Sequence, residues 1–197
     1  MKVQAVIFDC DGVVVDTEPV AFTLLQHEFL THGLPMTRDD IERELKGLTM
    51  ANVRLEAIKR GARLAEDWVA RFYDKLYRAL GSGVALMPGL VELLDKLDAG
   101  ITLGQHPQVM ARFHGIYSGQ DMPHPKPAPD LYLHAAVHLG VDPRSCVVIE
   151  DSAIGARAAR AAGMHCYGLA PRPDYALAAE GAHRIAHLSD LPELLGL

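Results

Sequence analysis

Asp9 and Asp11 stand one residue apart where the apolar run Val3 to Phe8 ends and Gly12 follows. An apolar run of this length, broken by polar residues and a glycine, reads as a buried strand with both acids at its tip. Desolvating an ionised carboxylate costs several kcal/mol, so two of them at one strand end call for a cation between them. Mg2+ fits best, as a hard ion that prefers oxygen ligands. Cys10 lies between the acids, but strand alternation turns its side chain away from the face they share, which disfavours it as a nucleophile.

A second apolar run, Cys146 to Ile149, ends in Glu150 and Asp151, and Ser152 follows as an N-cap for the next helix. Between these acidic clusters lies Lys126, set between Pro125 and Pro127. The prolines restrict the backbone on both sides, so its ammonium can be aimed at little conformational cost. The ten histidines are scattered without a metal-binding spacing, and the three cysteines, Cys10, Cys146 and Cys166, read as small apolar core residues.

The elements that must position these groups follow from the pattern. Strands are predicted at about 3–9, 146–150 and 165–169, with weak strand character at Ile116 to Ser118 and a helix near 89–98. Strands separated by helical stretches imply parallel pairing with helices on both faces, and the acids then sit at the carboxyl ends of the strands. Residues from about 20 to 80 interrupt this alternation with helix only. Phe22, Leu25, Phe29 and Leu30 make an apolar stripe, Thr37 with Asp40 reads as a capping box, and Trp68, Phe72 and Leu76 recur at four-residue spacing. Residues 17–84 are therefore read as a helical cap, and 1–16 with 85–197 as the α/β core. After Asp151, the residues Gly155, Ala156, Ala158, Ala159, Ala161 and Ala162 give a small-residue helix face suited to close packing on the sheet.

With 197 residues, 49% of them hydrophobic, the chain is long enough for one such domain with an insert. A net charge of −6 without a basic block argues against nucleic acid and anionic lipid as partners. Its apolar runs are too short to span a bilayer and no charged leader precedes the first strand, so a cytoplasmic protein is expected, with a monomer as the default.

The run Asp9 to Glu18 resembles the first signature of the haloacid dehalogenase superfamily in its phosphatase and β-phosphoglucomutase-like branch: D-x-D-G, apolar residues, then D-[ST]-E. His124 to Asp130 resembles the family's lysine signature, and Val147 to Ala159 its distal acidic signature. The resemblance implies a Rossmann-like parallel sheet with an inserted α-helical cap that closes over the site. It implies Asp9 as the nucleophile that becomes an aspartyl phosphate, and Asp11 as the acid that protonates the leaving alcohol and then activates water. Lys126 would neutralise the phosphate. Mg2+ would be held by Asp9, the Asp11 carbonyl and Asp151, with Glu150 as a ligand or a water-mediated partner. Glu44 to Thr49 resembles the loop by which such caps touch substrate, which makes Lys46 the candidate contact for an anionic sugar. The expected activity is hydrolysis of a small phosphorylated metabolite, a sugar or sugar-acid phosphate. A phosphosugar mutase is the alternative in the same fold, and a non-catalytic metabolite-binding protein the alternative of another class. A dehalogenase is disfavoured, because that branch needs neither Asp11 nor the metal.

One family signature is missing: an apolar strand ending in serine or threonine, after the helix near 89–98. Fourteen residues, Ile101 to His114, lie before the next candidate strand. They cannot hold a strand, a loop and a crossover helix, since a crossover alone takes about a dozen residues. A true loss would leave a destabilising gap beside the first strand, so the expectation is that a stretch of roughly twenty residues between Ile101 and Gln105 belongs to the full chain and is omitted from this sequence. Thr102 is a poor remnant of the missing hydroxyl.

Overall fold

Val147, Val148 and Ile149 carry no charge and suit a strand buried on both faces, and they form the centre of a parallel sheet. The computed structural model describes residues 2–46, 48–81, 83–97 and 113–197. Among them the main sheet has the order β1-β4-β5-β6, from β1 (Ala5–Phe8), β4 (Cys146–Glu150), β5 (His165–Leu169) and β6 (His183–Ile185). Each neighbouring pair is parallel. Two short strands, β2 (Val15–Asp16) and β3 (Ala85–Leu86), pair separately.

The chain divides into two compact units, residues 1–15 with 86–197, and residues 16–85. The second is helical: α1 (Glu18–Thr31), α2 (Arg38–Leu45), α3 (Met50–Lys59) and α4 (Trp68–Gly81). Its core gathers Phe22, Leu25, Phe29, Ile41, Trp68 and Phe72, with Trp68 stacked on Phe29 at 6.1 Å between ring centroids. Thr37 caps α2 by accepting from the Asp40 amide at 3.1 Å. Leu30 departs from the predicted stripe and is 63% exposed. The helix turns by about 100° per residue, so a residue directly after Phe29 leaves the face that Phe29 buries.

In the first unit, α5 (Leu90–Leu97) precedes the undescribed stretch, and α6 (Asp130–Leu139), α7 (Ala153–Ala161), α8 (Tyr175–Ala179) and α9 (Leu191–Leu195) follow. The small-residue face of α7 buries Gly155, Ala156, Ala158 and Ala159, and Ala162 beyond its end, whereas Ala161 is exposed. Ile116 to Ser118 form no strand; three residues with an exposed Ile116 lack the apolar environment that would hold them in a sheet. Sequence reading missed β6, whose His183 and Arg184 are exposed and interrupt any apolar run. Among the described residues β1 stands at the sheet's edge, and Val3 to Phe8 line a cavity of about 1030 Å3. The position assigned to the missing strand, 101–105, lies outside the described residues. No helix among them is long and apolar enough to cross a membrane.

Candidate active site

Register brings the acids together. Phe8 pairs with Ile149, and the Asp9 amide donates to the Ile149 carbonyl at 2.9 Å, so Asp9 and Glu150 leave adjacent parallel strands at the same level. Asp151 follows on the turn into α7. Oxygens of Asp9, Glu150 and Asp151 all lie within 4.8 Å of one another. Gly12 completes the arrangement: its φ is +75°, and a Cβ there would overlap Asp151 Oδ2. Glycine is thus required both by conformation and by the approach of the carboxylate. Gly155 has a similar purpose, since a Cβ on it would collide with the Glu150 carboxylate; its place on α7 does more than allow helix–sheet packing.

Lys126 reaches the same point from the proline-flanked loop, whose Lys126–Pro127 peptide is cis. Its Nζ donates to Asp9 Oδ1 and to Glu150 Oε1, each at 2.5 Å. Glu150 is fully buried and accepts three further hydrogen bonds: from the Tyr132 hydroxyl at 2.7 Å, the Ser152 amide at 3.1 Å and the Ser152 hydroxyl at 2.8 Å. Ser152 also accepts from the Gly155 amide at 3.1 Å, which makes it the N-cap of α7. Burial raises the Asp9 carboxyl above its ordinary value, and the neighbouring Glu150 charge adds to that against the pull of Lys126. Desolvation works against the Lys126 ammonium, but Asp9 and Glu150 hold its pKa above the ordinary lysine value.

Asp11 is exposed, one bridge away from Val15, and lines the cavity with Asp9, Lys126 and His124. Its side chain is not part of the three-carboxylate group. Cys10 departs from the expected core role, being an exposed residue at the strand's end, beyond the last pairing of β1. Its thiol is pushed up to about 11, first by desolvation and then by Asp11 and Asp9, which keeps it protonated and poorly nucleophilic. Lys46 belongs to the helical unit, where its Nζ pairs with Glu18 Oε2 at 2.6 Å.

The donor set fits Mg2+. Three hard carboxylates converge, and two of them share a single ammonium. Sequence reasoning missed Tyr132, for which no local signal exists: an aromatic residue two positions into a helix looks like any core residue.

The profile of the haloacid dehalogenase-like hydrolases matches residues 3–163, and the chain belongs to that family. It is 25% identical to a 6-phosphogluconate phosphatase of Escherichia coli (strain K12), over 98% of this chain and 95% of the relative. It is 31% identical to a β-phosphoglucomutase of Bacillus subtilis (strain 168), over 84% and 83% respectively. A solved structure of a hydrolase of this family from Deinococcus radiodurans R1, with bound phosphate and sodium, superposes with a TM-score of 0.79 at 28% identity, covering 99% of this chain and 96% of that one. The alignment with the mutase extends over 189 positions while drawing on 84% of this 197-residue chain, so that relative carries residues within the matched span that this chain does not.

Proposed function

We propose that this protein is a Mg2+-dependent phosphatase of a small phosphorylated sugar or sugar acid. The observation that carries the proposal is the convergence of Asp9, Glu150 and Asp151 with Lys126, from widely separated parts of the sequence, at one point on the sheet. In the first step an Asp9 oxygen attacks phosphorus, the phosphorus–oxygen ester bond breaks, and Asp11 gives its proton to the leaving oxygen. In the second, Asp11 takes a proton from water, whose oxygen attacks phosphorus and releases inorganic phosphate and free Asp9. Lys126 offsets charge on the transferring group and keeps Asp9 oriented. Asp9, Asp151 and the Asp11 carbonyl would hold Mg2+, with Glu150 as a ligand or water-mediated partner; the ion supplies charge neutralisation at the transferring phosphoryl oxygens. Lys46 is the proposed contact for an anionic group of the substrate; as a half-exposed partner of Glu18 its ion pair is of the weak, exchangeable kind. The acidic net charge supports a partner set without nucleic acid, and a monomer working in the cytoplasm completes the proposal.

The likeness to a β-phosphoglucomutase favours a second reading, transfer of the phosphoryl group to another sugar hydroxyl. The shorter matched span favours a third, a metabolite-binding protein without turnover. Phosphate release from p-nitrophenyl phosphate and a panel of phosphorylated sugars, with Mg2+ and with EDTA, tests the first. Magnesium-dependent release that disappears in Asp9→Asn is expected; folded protein without turnover would leave the binding reading. Product analysis with glucose 1-phosphate separates phosphatase from mutase.

A further inference from the structure

Tyr132 is 2% exposed among apolar residues of the sheet core, including Ala136, Cys146 and Val148. Packing alone would be served by phenylalanine, and burying a phenol hydroxyl costs free energy unless it is hydrogen-bonded. The hydroxyl donates to Glu150 Oε1, the oxygen that also receives Lys126 Nζ, while Lys126 Nζ lies 5.1 Å from the centroid of the Tyr132 ring. One side chain therefore touches both members of the Glu150–Lys126 pair, the carboxylate with its hydroxyl and the ammonium with its π face.

The two oxygens of Glu150 have different supports. Oε2 is held by Ser152, two residues along the chain, as part of the N-cap of α7. Oε1 is held by groups from a distant stretch, and of these Lys126 is shared with Asp9. A carboxylate offers about four acceptor sites, and Tyr132 fills one of them without adding positive charge. A neutral donor orients the carboxylate without placing a second cation beside Lys126.

We propose that Tyr132 is a positioning residue for this site: its hydroxyl fixes the Glu150 carboxylate, and the same ring steadies the Lys126 ammonium between Glu150 and Asp9. The catalytic consequence rests on the phosphatase reading, whereas the effect on cation binding does not.

Tyr132→Phe, made in the full chain, keeps the ring and removes only the hydroxyl. Mn2+ affinity measured by calorimetry is expected to weaken about 10-fold, the lower end of what is lost when a group orienting a metal ligand is removed. For Mg2+-dependent hydrolysis of p-nitrophenyl phosphate, kcat should fall by a comparable factor while KM stays within about twofold. A double-mutant cycle with Glu150→Gln guards against a general loss of packing. If the hydroxyl acts through Glu150, Tyr132→Phe has no further effect on Mn2+ affinity in the Glu150→Gln background. Wild-type Mn2+ affinity in Tyr132→Phe, or an equal loss in both backgrounds, overturns the proposal. Wild-type protein that binds Mn2+ but hydrolyses nothing overturns the phosphatase reading alone, and wild-type protein that binds no Mn2+ overturns both.

Discussion

Of the glutamates buried among the described residues, one in each unit is held by nearly the same means. In the helical unit, Glu28 is 3% exposed and accepts from Lys75 Nζ at 2.6 Å and Trp68 Nε1 at 3.0 Å. In the sheet unit, Glu150 accepts from Lys126 Nζ and the Tyr132 hydroxyl. A lysine and an aromatic donor serve each carboxylate. What differs is the company. Lys75 reaches Glu28 from a half-exposed position and is shared with no second acid in the ion pairs described, whereas Lys126 is shared between Glu150 and Asp9, with Asp151 alongside. Desolvation works against the Glu28 charge, but Lys75 and Trp68 outweigh it and hold the carboxyl below its ordinary value; Asp9 is pushed the other way. The first arrangement is electrostatically closed and structural. In the second, two carboxylates share one ammonium beside a third acid.

The comparison is tested most severely by activity. Asp9→Asn should lower turnover by roughly 10^3-fold or more, as removal of an attacking group does, while Glu28→Gln should leave kcat within about twofold; steady-state kinetics on the same phosphoester decides it. Glu150→Gln should fall between them, costing about 10–100-fold in Mn2+ affinity or in kcat. Were Glu28→Gln to cost as much as Glu150→Gln, the distinction between a structural and a functional carboxylate would fail.

Stability effects come next. Mg2+ at a hundred times its dissociation constant should stabilise the sheet unit by about 2.7 kcal/mol, seen as slower hydrogen exchange in β1 and β4; equal slowing throughout α1 and α4 would argue against a site confined to the three acids. Glu28→Gln should destabilise the helical unit by about 1–2 kcal/mol, since it weakens a charge-assisted hydrogen bond to a half-exposed lysine. Trp68 is the chain's one tryptophan and lies in that unit, so its fluorescence during urea unfolding reports the change.

The smallest effect is the pH dependence of the same group. Because the Glu28 pKa in the folded state lies below the ordinary 4.5, the unfolded chain binds its proton more readily. Its contribution to stability is complete above pH 4.5 and is lost as pH falls through the folded value. Urea midpoints read by Trp68 should show that portion of the acid sensitivity disappearing in Glu28→Gln; an unchanged pH profile would mean that Glu28 is not held as described.

Much of the site could be read from local patterns. The apolar run ending in Asp9, Asp11 and Gly12 is strand followed by a turn that needs positive φ, and Ser152 before a small-residue helix is an N-cap. Such features depend on neighbours within a few residues. Leu30 and Cys10 were misread for the same reason: each sits in an apolar or alternating run, but exposure is set by what packs against the element. The strand β6 escaped notice because an edge strand of three residues can carry histidine and arginine on open faces.

The chain's order of residues by itself determined which groups can do chemistry, because a carboxylate pair at a strand tip, a lysine between prolines and a capped acidic strand end are each built by short-range rules. Only tertiary structure decided the electrostatic company of each buried acid. That depends on how many carboxylates share each lysine and on which oxygen a distant tyrosine or tryptophan reaches, and electrostatic energies at these distances are fixed by positions in space that no spacing along the chain encodes.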